Sequence, residues 1–127
     1  MRLAAPLLFA AMASPPLAAQ APAMPGLEGA WTVDLSAEPG KPYVKEMVLQ
    51  LQGDGTVGGS FYDSSIEAGQ WKTANGRTCA SFRTTDGAGP YHSAACLNSD
   101  GTVSGQTWAE HRNFLFNWNA TRKVGGE

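Results

Sequence analysis

The stretch RTCASFRTTDGAGPYHSAACL, residues 77–97, contains both cysteines of the chain, one on each side of a central DGAG. Turn residues between two segments of alternating apolar and polar residues predict a β-hairpin. If Gly87 and Ala88 form a two-residue loop, Cys79 faces Cys96 in a non-hydrogen-bonded pair, whose Cα atoms approach to about 4.5 Å. Because a disulfide can span this distance, the stretch predicts a Cys79–Cys96 bridge, with two free buried thiols as the alternative.

The same register predicts which side chains of this hairpin face the interior. If the cysteines lie on the outer face with Arg83 and His92, the residues that alternate with them point inward. The predicted inward set is Ala80, Phe82, Thr84, Tyr91, Ser93, Ala95 and Leu97. Neighbouring hairpins, treated in the same way, set apolar residues opposite apolar ones and large side chains opposite small ones. The predicted pairs are Leu51 with Val57, Leu49 with Gly59, Met47 with Phe61, Leu97 with Val103, Ala95 with Gly105, Trp71 with Ala80, Gly69 with Phe82, Trp118 with Gly105 and Phe116 with Thr107.

The sequence after Gly29 consists of short alternating runs that are interrupted by turn residues about every 8–12 positions. No stretch has convincing helical periodicity. The interruptions are SAEPGKP (36–42), GDG (53–55), DSS (63–65), ANG (74–76), DGAG (86–89), SDG (99–101) and EHR (110–112). Seven interruptions separate eight strands, so the sequence predicts a single all-β domain.

The N-terminal residues have the layout of a secretory signal peptide. One positive charge precedes an apolar run at residues 3–13, and small residues lead to Ala19. We therefore expect residues 1–19 to be a signal peptide, residues 20–26 a flexible lead-in and residues 27–124 the folded domain, with a buried N-terminal helix as the alternative. The apolar run is too short to span a bilayer, so we expect an exported protein, periplasmic or secreted, that is not membrane-spanning.

Features of the first and last strands resemble the lipocalin-like barrels of the calycin superfamily. The first strand begins GLEGAWTVDL, with a Gly-x-Trp motif at Gly29 and Trp31, and the last strand ends FNWNATR with the basic residue Arg122. The resemblance covers residues 29–122 and implies a single eight-stranded antiparallel up-and-down barrel. It also implies that the Arg122 side chain lies across Trp31 at the closed end. An eight-stranded β-sandwich is the alternative.

Two weaker resemblances concern other small barrels. GAWTVDLS and GSFYDSS are similar to motifs of avidin-type barrels. The size, the expected export and the opening Gly-x-Trp are similar to those of the periplasmic barrels that inhibit bacterial metalloproteases. The second resemblance implies a protein partner in the cell envelope.

An up-and-down barrel places alternate turns at the same end. GDG, ANG and SDG are therefore expected at the closed end with Trp31 and Arg122, and SAEPGKP, DSS, DGAG and EHR at the open end. At the open end the candidate ligand-binding residues are Phe61, Glu67, Tyr91, Phe114 and Phe116. Below them, small residues at Gly59, Gly69, Ser93 and Gly105 leave either a cavity or room for the large rings of Trp118 and Phe82. Glu67, the one carboxylate expected to face inward, either orients a ligand or reaches water at the rim.

The sequence contains no set of residues that points to catalysis, a metal or a cofactor. His92 and His111 have no neighbouring ligands, and no nucleophile, base and orienting group converge in the predicted register. With 9 basic and 11 acidic residues, we expect no nucleic acid or anionic lipid partner. We therefore expect a non-enzymatic carrier or sensor of a small apolar ligand. The alternatives are a protein-interaction or protease-inhibitor-like module and a structural accessory of the cell envelope.

Overall fold

The structure, a computed structural model, describes residues 26–124. The chain is all-β over this range, as predicted, with nine strands and a short 3₁₀ turn at Glu110–Arg112. The strands are β1 (Gly29–Asp34), β2 (Val44–Leu51), β3 (Thr56–Phe61), β4 (Ser64–Ser65), β5 (Glu67–Ala74), β6 (Arg77–Asp86), β7 (Gly89–Leu97), β8 (Val103–Ala109) and β9 (Phe114–Arg122). The predicted signal peptide and nearly all of the predicted lead-in lie outside the described residues.

Eight of these strands form a closed antiparallel barrel. Strands that are neighbours in sequence are hydrogen-bonded to each other, and β1 closes the ring because it pairs with both β2 and β9. The two-residue β4 pairs with β3 and lies outside the ring. The predicted eight-stranded barrel is therefore confirmed, and the sandwich alternative is wrong.

The β6–β7 hairpin has the predicted register. Cys79 pairs with Cys96, and the two residues form a disulfide with their Cα atoms 4.1 Å apart. Five members of the predicted inward set are buried: Ala80, Phe82, Thr84, Ser93 and Ala95. Eight of the nine residue pairs predicted above occur, and the exception is the pair of Gly69 with Phe82.

A β-bulge near the start of β5 causes this exception. Ala68 has a left-handed backbone, with φ at 53°, and Glu67 pairs with Arg83. Successive side chains of a strand point to opposite faces, so a one-residue shift turns Glu67 from the interior to the outer face. There its carboxylate accepts a hydrogen bond from Arg83 Nε at 3.0 Å. The predicted inward position of Glu67 is therefore wrong.

The middle of the barrel is filled by aromatic rings. A Cβ added at Gly105 would lie 2.2 Å from Cη2 of the buried Trp118 side chain. The ring centre of Phe61 lies 5.3 Å from that of Trp118 and 5.6 Å from that of Phe82. At Gly105, the small residue therefore makes room for a large ring and does not leave a cavity. Free space begins on the side of Phe61 that faces the open end.

The closed end has the predicted contact between the first and last strands. Trp31 is fully buried, and the Arg122 guanidinium carbon lies 4.1 Å from the centre of its ring. Two guanidinium nitrogens donate to the backbone carbonyls of Glu28 and Gly26. The indole Nε1 of Trp31 donates to the carbonyl of the buried Leu27 at 3.0 Å. These contacts attach residues 26–28, which precede β1, to the closed end of the barrel.

Candidate functional site

A cavity of about 540 Å³ opens at the other end of the barrel. All four connections predicted for the open end, or the residues next to them, contribute to its wall. The aromatic lining consists of Tyr43, Phe61, Tyr62, Tyr91, Phe114 and Phe116. The remaining lining residues are Leu35, Ala37, Asp63, Ser64, Thr84, Asp86, Thr107 and Arg112. All three tyrosines of the chain and three of its five phenylalanines thus surround one cavity.

Four of the five predicted ligand-binding residues lie in this wall. Phe61 is buried at its base, whereas Tyr91, Phe114 and Phe116 are half-buried along its sides. The rings of Phe114 and Phe116 are nearly parallel, with an angle of 11° between their planes and 6.0 Å between their centres. These residues alternate along β9, so both rings face the interior and form a continuous apolar surface. Glu67 does not line the cavity, because the bulge in β5 places it on the outer face.

The polar groups at the base of the cavity are bonded to one another. Ser93 Oγ lies 2.8 Å from Thr107 Oγ1, which also accepts a hydrogen bond from Trp118 Nε1 at 2.9 Å. All three residues are buried. Because buried polar groups are costly unless they are hydrogen-bonded, this cluster lets the barrel keep hydroxyls beneath an apolar space.

One side of the rim is formed by Tyr43 and Tyr62, whose hydroxyl groups are hydrogen-bonded to each other. This bond raises the pKa of Tyr62 above its ordinary value. Tyr62 and Asp63 both have positive φ, 53° and 66°, in the tight turn between β3 and β4. Non-glycine residues seldom adopt this conformation, and two in succession produce a turn that matches strand twist. The ammonium of Lys45 lies 4.9 Å from the centre of the Tyr62 ring and 2.8 Å from the Asp63 carboxylate, which raises the lysine pKa.

The other side of the rim contains a chain of hydrogen bonds. Tyr91 donates its hydroxyl hydrogen to Asp86 Oδ2 at 2.7 Å, and Arg112 Nη1 donates to the Tyr91 oxygen at 3.0 Å. Asp86 Oδ1 also accepts hydrogen bonds from the backbone N–H groups of Ala88 and Gly89. The bond from Tyr91 is the largest cause that lowers the pKa of Asp86, so this carboxylate is ionised at neutral pH. The same hydroxyl raises the pKa of Arg112.

Sequence reasoning missed Tyr43, Tyr62, Asp86 and Arg112 as lining residues. Arg112 lies in EHR and Asp86 in DGAG, two segments that were interpreted only as turns. Both segments were predicted to lie at the open end, and from this prediction their side chains could have been expected in the cavity wall. The positions of Tyr43 and Tyr62 depend on how two connections bend over the mouth, which strand alternation does not predict.

No group of three or more histidine, cysteine, aspartate or glutamate side chains among residues 26–124 is arranged to hold a metal ion. Within the same range, no helix has the length and apolar character needed to cross a membrane. Comparisons of the chain with protein-family models, with curated proteins and with solved structures find no significant match.

Proposed function

We propose that this protein is an exported, lipocalin-like carrier or sensor that binds a small, mainly apolar molecule in the open-end cavity. The observation that carries the proposal is the cavity of about 540 Å³ with six aromatic side chains in its wall. Concave sites of this size with an apolar lining and few polar groups are typical of small-molecule binding. The aromatic rings packed in the middle of the barrel support this assignment because they close the cavity at its base.

Export is the second part of the proposal and rests on two observations. Residues 1–19 have the composition of a signal peptide. The Cys79–Cys96 disulfide belongs to the kind of bond that persists mainly in oxidising compartments such as the periplasm.

The polar groups of the cavity are better suited to binding a ligand than to catalysis. The hydroxyls of Ser93 and Thr107 are hydrogen-bonded to each other, and Asp86 has a lowered pKa that makes it a weak base. A general base requires a pKa near the operating pH. The groups therefore favour a structural role and the orientation of a ligand.

Titration with Nile red, a neutral dye whose emission depends on solvent polarity, tests the proposal. We expect saturable binding of one dye molecule per chain, with the emission shifted to shorter wavelength. A dye signal that rises linearly with protein concentration and never saturates would contradict a defined apolar site.

A second candidate function, a protein-interaction module of the cell envelope, is favoured by one feature of the outer face. Trp108 and Leu115 are cross-strand neighbours with 39% and 57% of their surface exposed. Exposed apolar residues in contact can mark a protein-binding site. Site-specific cross-linking from position 115 in cell envelopes would test this candidate: we expect a discrete product that is lost in Trp108→Ser, and its absence would contradict the candidate.

A further inference from the structure

We propose that the ligand of the open-end cavity carries a single carboxylate on an apolar body, and that Arg112 binds this carboxylate at the rim. The inference rests on the proposed function, since it specifies the chemical class of the molecule that the cavity takes. It follows from the unused hydrogen-bond donors at the rim of the cavity.

Among residues 26–124, Arg112 is the only basic side chain that lines the cavity. Among the four ion pairs found within residues 26–124, none involves Arg112. A guanidinium group has five N–H donors, and the structure uses one of them in the bond to Tyr91. The remaining donors match the two oxygens of a carboxylate, which arginine binds through parallel hydrogen bonds.

The two carboxylates of the lining, in contrast, already have partners. Asp63 accepts a hydrogen bond from Lys45 at 2.8 Å. Asp86 accepts hydrogen bonds from the Tyr91 hydroxyl and from the backbone N–H groups of Ala88 and Gly89. A cationic ligand would have to compete with these contacts. The groups at the mouth that lack partners are therefore the remaining N–H donors of Arg112, which favours an anionic ligand.

Tyr91 positions the arginine and is not free to donate to the ligand itself. Its hydroxyl hydrogen is used in the bond to Asp86, so towards other groups the oxygen is only an acceptor, and it accepts a hydrogen bond from Arg112. The guanidinium carbon also lies 5.3 Å from the centre of the Phe114 ring. Because Phe114 and Phe116 continue the apolar wall inward, a carboxylate bound to Arg112 places the attached apolar body along these rings.

A displacement experiment with three ligands of the same alkyl chain tests the inference. Nile red bound to the wild-type protein is displaced at pH 7 by decanoate, 1-decanol or decylammonium, each below its aggregation concentration. We expect decanoate to displace the dye at about tenfold lower concentration than decanol, because a charge-assisted hydrogen bond is worth roughly that factor. Decylammonium should be weaker than decanoate.

The matched variants are Arg112→Gln at the rim and Arg83→Gln on the outer face of β6. The concentration of decanol needed to displace the dye, divided by that of decanoate, should fall from about ten to about one in Arg112→Gln. It should stay near ten in Arg83→Gln. Melting temperatures of both variants verify that they are folded. Equal displacement by decanoate and decanol in the wild type would overturn the inference that Arg112 binds a carboxylate, and so would a preference for decanoate that survives in Arg112→Gln. Either result would leave the proposed binding of an apolar molecule intact.

The remaining outcomes are also decisive. A preference of the wild type for decylammonium would assign the rim to a cationic ligand and overturn the inference. If Nile red itself shows no saturable binding and none of the three compounds binds by calorimetry, the proposed function fails together with the inference.

Discussion

The guanidinium of Arg122 fills the space that a side chain at position 29 would need. A Cβ added to Gly29 would lie 2.6 Å from Arg122 Nη1, and Gly29 has φ at 121°, where other residues are strained. Gly29→Ala should therefore lower the free energy of unfolding by about 1 to 3 kcal/mol. Urea denaturation measures this, with Gly53→Ala as the control, since a Cβ at position 53 meets no atom within 4 Å. Equal effects of the two substitutions would contradict the role of Arg122.

Trp31, which is fully buried, should contribute more to stability than Trp71 and Trp108, which are half-buried and exposed. Trp31→Ala removes a fully buried ring and should cost about 3 to 5 kcal/mol, whereas Arg122→Ala should cost less because the side chain is at the surface. Trp108→Ala is the matched control, since the Trp108 ring lies on the outer face of the barrel. A cost for Trp108→Ala as large as that for Trp31→Ala would show that Trp31 is not the centre of the closed end.

Reduction of the Cys79–Cys96 bridge should destabilise the barrel without unfolding it. The cysteines are 17 residues apart, and a disulfide that closes a loop of this size stabilises the folded state by up to about 3 kcal/mol. The loss should be smaller here, because β6 and β7 remain paired over the whole hairpin. Thiol titration of the native protein should find no reactive thiol. Denaturation with and without reductant measures how much the disulfide contributes to the free energy of unfolding. Two reactive thiols in the native protein would contradict the bridge.

Acid should weaken the two related turns at the closed end. Asp54 and Asp100 each accept hydrogen bonds from the backbone N–H and the hydroxyl of the threonine two residues later, and these bonds lower both aspartate pKa values. A carboxyl whose pKa is lower in the folded state contributes stability above its unfolded pKa, and that stability is lost as the pH falls through the folded pKa. The free energy of unfolding should therefore decrease below about pH 4.

The double variant Asp54→Asn, Asp100→Asn provides the comparison for the acid effect. Urea denaturation at pH 7 and pH 3 should show a smaller decrease in the variant than in the wild type, because two of the titrating groups are absent. An identical decrease in both proteins would contradict the contribution of these turns.

Alternation and turn chemistry predicted most of the fold because they act locally. The registers of the hairpins at DGAG, ANG, GDG and SDG follow from residues within each turn, and all of them occur in the structure. The bulge at Ala68 could not be predicted in the same way. Alanine seldom adopts a positive φ, and nothing in IEAGQ other than Gly69 indicates a break in the strand.

The candidate site was predicted as far as it depends on strand alternation. Phe61, Tyr91, Phe114 and Phe116 were found because each lies at an inward position of a regular strand. Glu67 was misplaced because it precedes the bulge by one residue. The rim residue Arg112 lies in a 3₁₀ turn, where side-chain direction depends on the local bend instead of on a two-residue period.

The central claim, that an apolar molecule lies inside the open-end cavity, is tested most directly by filling that cavity. Thr84 is buried in the wall, faces Tyr91 across the hairpin and has only a small side chain, so Thr84→Phe should place a ring in the space. Ser81→Phe on the exposed outer face of the same strand is the matched control. Thr84→Phe should weaken Nile red binding at least about tenfold, although overpacking could also cost about 1 to 3 kcal/mol of stability. Ser81→Phe should bind as the wild type does, whereas equal affinity of all three proteins would place the dye elsewhere and contradict the account.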